Sequence, residues 1–160
     1  MLKQRVITAL ILVALLLPTL WITHPWPFVV LTLVLISAAA WEWARLNGQP
    51  QALALAGGAA VAIGGLIAAA GPWRFGESRA LWWTCAAVWA VGGAIVLRLG
   101  PTGWKQLPTT PRWLIGLGLL WVGWWALAQA RIVGVNFLLS ALCIVFAADI
   151  AAYFGGRAFG

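Results

Sequence analysis

Apolar residues dominate this chain in long blocks, and short polar clusters separate them. Six blocks approach the roughly 20 residues that a helix needs to cross a bilayer. They lie at about 6–23, 28–45, 52–70, 80–97, 113–130 and 132–154. The connections carry turn chemistry: THPWP at 23–27, NGQPQ at 47–51, GPWRFGES at 71–78 and LGPTGWKQLPTTPR at 99–112. Only Arg131 separates the last two blocks, so a helical hairpin with a very tight turn is expected there. The opening MLKQRV has the charge of a signal peptide. The apolar run after it is too long for one, and no A-x-A site follows Trp21, so it reads as a retained first span. The pattern predicts an all-α, polytopic transmembrane bundle of about six spanning helices, as one domain over residues 1–160.

Composition strengthens this reading. Hydrophobic residues make up 64% of the 160 and charged residues 8%, against about 45–50% and 25% in soluble domains. One small core cannot hide that much apolar surface, so lipid is the expected solvent. The net charge of +7 raises the question of nucleic acid, but the bases form no stripe or binding motif, which argues against such a partner. Their distribution fits the positive-inside rule instead. With the N-terminus in the cytoplasm, the inner segments hold seven bases: Lys3, Arg5, Arg45, Arg98, Lys105, Arg112 and Arg157. The outer segments hold three, Arg74, Arg79 and Arg131.

Thirteen tryptophans are distributed accordingly. Trp21, Trp26, Trp41, Trp43, Trp73, Trp104 and Trp113 fall near expected span ends, where indole favours the interface. Trp82, Trp83, Trp89, Trp121, Trp124 and Trp125 fall deeper, where packing and lipid contact explain them. Gly57, Gly64 and Gly71 recur every seven residues, with Gly58 and Gly65 beside them. Each set occupies one helix face and suits close helix packing. Such seams serve equally for association with a second copy, a homo-oligomer, or with a partner subunit. Cys85, Cys143 and His24 are too scattered for a zinc site, and no repeat relates the two halves as in many transporters.

Few polar residues remain to carry chemistry. Glu42 and Arg45 in WEWAR are spaced to pair on one helix face, at an anchored helix end or a polar site. Glu77, between Arg74 and Arg79, reads as a solvated loop acid. Asp149 follows a long apolar stretch with no neighbouring cation. Seventeen residues beyond Ile132 give about 25 Å of helix, against a hydrocarbon core of about 30 Å. Asp149 is therefore expected near the cytoplasmic boundary. If the helix continues, Tyr153, Gly156 and Gly160 lie within about 40° of it; if not, Gly155–Gly156 ends the helix. Either way a carboxylate, a phenol, bare backbone and Arg157 gather at one membrane edge. The simpler reading is a helix end with an interfacial Tyr and a snorkelling Arg.

The tail DIAAYFGGRAFG resembles the D-x-x-AYFxGRxFGK segment of bacterial phosphatidate cytidylyltransferases. The opening LKQRVITAL and the element AAWEWARLNG are similar to the family's early segments, while the middle of the chain is generic membrane sequence. The resemblance implies a multi-pass protein of the bacterial cytoplasmic membrane that joins CTP to phosphatidate, releasing diphosphate. It implies a catalytic Asp149 in a metal or polar network, with Mg2+ as cofactor. It also implies Arg157 on substrate phosphate and a pocket shaped by Tyr153 and Gly156; the metal ligands themselves are not identified. Family members run on through a Lys, an S-P-K-K-T-like stretch and K-R, K-D, H-G-G and D-R-x-D elements. Beside them this chain is expected to be an incomplete and inactive part. The alternatives are a non-catalytic membrane remnant or partner subunit, and a small transporter, for which only Asn136, Ser140 and Gln129 offer polar groups.

Overall fold

A computed structural model describes residues 2–70 and 79–159. Gly71 and Gly160 and the loop residues Trp73, Arg74 and Glu77 lie outside the described residues. The elements are six helices: α1 Leu2–Trp21, α2 Trp26–Leu46, α3 Gln51–Ala70, α4 Arg79–Gln106, α5 Thr109–Val133 and α6 Val135–Phe159. Among the described residues there is no strand. From α2 to α6 each helix contains a stretch long and apolar enough to cross a membrane, whereas the apolar part of α1, Val6–Trp21, is shorter. These six helices follow the six apolar blocks and define a helical membrane protein.

The helix ends follow local chemistry. At the close of α2 the Gly48 N–H donates to the Arg45 carbonyl (2.9 Å) and the Gln49 N–H to that of Ala44 (3.0 Å). With Gly48 at φ 72°, this is a Schellman cap, which satisfies two orphan carbonyls before Pro50 blocks continuation. Gly100, at φ 62° and ψ −172°, breaks α4 into two helical stretches, so its apolar span ends there, close to the expected end near residue 97. The boundary between α5 and α6 is Gly134, not Arg131. Gly134 has φ 152° and is the one residue between the helices. Arg131 stays inside α5 and is buried.

Packing falls into two units. The first comprises residues 1–34 and 123–160. Phe28, Ala130 and Leu138 form its core, with Leu16, Leu20, Leu127 and Leu142 packed around them. Buried Trp124 donates its indole N–H to the Val29 carbonyl (3.2 Å). Arg131 donates to the Ile22 carbonyl (2.6 Å), just beyond the end of α1. A cation there is favoured by the negative end of the helix and by the carbonyls that lack helical partners. Arg131 is thus an internal fastening, where the sequence suggested an outer-loop base.

The second unit comprises residues 35–122. Its small residues allow close contact: Ala40, Ala44, Ala54, Gly57, Gly58 and Gly65 are all buried. On α3, Gly57 and Gly64 receive the indoles of Trp113 and Trp121 from α5; a Cβ there would lie 3.2 and 3.3 Å from those rings. Gly58 faces the other neighbour, and its Cβ would lie 3.0 Å from the Ser37 carbonyl and 3.3 Å from Trp41 Cβ. Gly57, Gly58 and Gly64 thus form a packing seam, with a tryptophan against each.

Candidate functional site

The four residues singled out in the tail all lie on α6, in the first unit. The glycine pair at 155–156 does not end the helix, which runs on to Phe159. The surrounding apolar residues sustain the helix through two poor helix formers. Asp149, Tyr153, Gly156 and Arg157 therefore share an arc of about 100° along two turns. All four are exposed. Among the described residues neither Asp149 nor Arg157 has an ion pair. Tyr153 packs edge-on against Phe154, with ring centroids 5.3 Å apart. A Cβ on Gly155 or Gly156 would meet nothing within 4 Å, so the backbone there is open to a bound group.

Moving the hairpin turn to Gly134 alters the depth estimate. Asp149 lies fourteen residues beyond Val135, about 21 Å of helix rise. That is about 4 Å less than the count from Ile132 gives, and it leaves the carboxylate about 9 Å short of the far edge of a core of about 30 Å. An unpaired acid there carries part of the 2.5–3.5 kcal/mol, approximately, that a charge costs at mid-membrane. An intramembrane acid is by default a candidate for function. Arg157, two turns further on, reaches past the same boundary.

The polar pair of WEWAR belongs to the second unit. Arg45 and Glu42 form a half-exposed ion pair at 3.4 Å, and the Arg45 guanidinium lies 5.1 Å from the centre of the Trp41 ring. The spacing of these residues anticipated the pair. It did not anticipate the contact beside it. Trp43 donates its indole N–H to the Trp113 carbonyl (3.2 Å) and wedges against Gly116, whose missing side chain makes the space. Two tryptophans expected as interfacial anchors are thus packing partners.

Metal-ligating residues are sparse. Among the described residues no group of three or more His, Cys, Asp and Glu comes together. Asp149 offers one carboxylate. A single carboxylate suits magnesium that arrives on nucleotide phosphates and does not suit a dedicated protein cage.

A helical membrane protein with an exposed polar arc on α6 is the class that fold and site define. The sequence model of the cytidylyltransferase family matches residues 3–160, and the chain belongs to that family. The phosphatidate cytidylyltransferase of Pseudomonas aeruginosa is 33% identical over 169 aligned residues. The alignment covers 100% of this chain and 59% of that relative, so the chain spans somewhat more than half the relative's length. No solved structure matches the chain.

Proposed function

We propose that the chain supports transfer of a cytidylyl group from CTP to phosphatidate, giving CDP-diacylglycerol and diphosphate. The carrying observation is the family match over residues 3–160. The name of the Pseudomonas aeruginosa relative supports the choice of substrate. A phosphate oxygen of the lipid forms a bond to the α-phosphorus of CTP as the bond to diphosphate breaks. Negative charge on the phosphate oxygens must be met by fixed positive groups. Arg157 is suited to hold phosphate bidentately. The open backbone at Gly156 admits the substrate closely, and Tyr153 closes one side. Asp149 would hold Mg2+ carried on the nucleotide, and the ion would neutralise charge on the phosphate oxygens. The base distribution supports an N-terminus in the cytoplasm of a bacterial inner membrane; in that orientation the end of α6 would lie where soluble CTP meets the lipid headgroup.

The test is CDP-diacylglycerol formation from labelled CTP in membranes containing the full-length protein. Asp149→Asn and Arg157→Ala should each lower turnover by about a hundredfold with the amount of inserted protein unchanged. Full turnover in both variants would overturn the site. A second reading is favoured by the sparse donor set: a non-catalytic subunit that packs with other helices. Folded, inserted protein that binds no CTP would select it.

A further inference from the structure

The polar arc of α6 stands far from the contacts that hold the helix. Among the described residues Leu138 is the one buried residue of α6, and Leu142 packs against the same core. From Cys143 to Phe159 every side chain is exposed. Asp149 and Gly156 lie eleven and eighteen residues beyond Leu138. At 100° per residue, both are within about 20° of its direction. The seat of Leu138 therefore decides which way the arc faces. A slip of one residue there would turn the arc by about 100°. Gly156 is also about 27 Å along the helix from Leu138, so a tilt of roughly 10° at the seat would carry it about 5 Å sideways.

The turn itself does not fix that seat. Gly134 is the one residue between α5 and α6, at φ 152°, and a Cβ on it would meet nothing within 4 Å. Glycine is permissive there. The fixed point is Arg131, which is 5% exposed and donates to the Ile22 carbonyl (2.6 Å). Its neighbour Ala130 shares a core with Leu138, and Leu16 and Leu20 of α1 pack on that core. One guanidinium thus ties the last turn of α5 to the end of α1, where α6 is seated. The Arg131 Nε–H has no acceptor. A buried cation with a donor unspent is a poor stabiliser, and an apolar residue of similar size often serves stability as well or better. What a directional bond adds is register.

We propose that Arg131 is a positioning residue. Its bond to the Ile22 carbonyl sets the register of the α5–α6 hairpin against α1, and so aims the arc of Asp149, Gly156 and Arg157. The effect on turnover rests on the transfer reaction proposed above; the register does not, and is read separately.

Spin labels on Leu10→Cys and Ala158→Cys, in full-length protein lacking Cys85 and Cys143, read the register as a distance by pulsed electron paramagnetic resonance. With Arg131 in place the distance should be single and narrow. Arg131→Met should broaden it or shift it by about 5 Å, with helix content unchanged and an equal or higher melting temperature. In unlabelled protein the same change should lower kcat by about a hundredfold, since about 1 Å of misplacement suffices for that. Arg131→Lys keeps a donor for the carbonyl and should restore the narrow distance and much of the turnover. An unchanged distance in Arg131→Met overturns the proposal. Loss of folded protein overturns it too, because Arg131 would then serve stability alone. A disturbed distance with full turnover would show that the arc needs no aiming, which also overturns it. Absence of turnover with Arg131 in place would sink the transfer reading instead, and the distances would still decide the register.

Discussion

At the scale of single residues, the tightest fit in the second unit is Trp43 against Gly116. The Trp43 ring occupies the place that any side chain at 116 would fill, and its N–H satisfies the Trp113 carbonyl. Gly116→Ala must therefore expel the indole and break that hydrogen bond, leaving the Trp43 N–H without its acceptor. We expect a loss of about 1–3 kcal/mol, the usual range for overpacking, seen as a lower melting temperature in detergent. Trp43→Phe keeps most of the bulk and loses only the hydrogen bond, about 1 kcal/mol. If Gly116→Ala melts with the unmodified protein, the wedge is not a stabilising contact. Tryptophan content alone could not reveal it. Trp43 and Trp113 are 70 positions apart, and an indole near a span end has an equally good reason to sit at the lipid interface.

At the scale of elements, legibility depended on whether the signal was local. The α2–α3 turn was legible because Asn47, Gly48 and Pro50 each disfavour helix and together write a C-cap. The α5–α6 turn was misplaced because Gly134 sits among apolar residues while Arg131 is the conspicuous polar break. Burial of Arg131 against the end of α1 is a tertiary event that no local pattern records. The end of α6 carries the opposite lesson: Gly155 and Gly156 look like a stop and are not one. Each costs the helix about 0.5–1 kcal/mol relative to Ala, and no neighbouring atom in the structure requires a glycine there. Gly155→Ala and Gly156→Ala should therefore slow amide exchange in the last turns of α6. If Gly156 admits a substrate, its variant should gain protection yet lose turnover. Gained protection with full turnover would remove Gly156 from the proposed pocket.

At the scale of the molecule, composition alone settled the class, because 64% hydrophobic residues leave no soluble alternative. Family membership rests on residues 3–160 together, whereas the resemblance read from the sequence leaned chiefly on the tail. Orientation is a separate matter, since helices of either direction bury the same surface. The sorting signal is the seven bases against three. Arg131 is taken up inside the first unit and is poorly placed to act as an outer-loop charge, which widens the asymmetry. Single cysteines introduced in a background lacking Cys85 and Cys143 can read the orientation in intact cells with a membrane-impermeant thiol reagent. A cysteine at Gln49, in the α2–α3 turn, should stay unlabelled until the membrane is permeabilised. A cysteine at His24, in the exposed α1–α2 connection, should label at once. The reverse pattern would put the end of α6 on the outer face, away from cytoplasmic CTP. The transfer reaction would then have no nucleotide at Asp149 and Arg157, whatever those residues could bind.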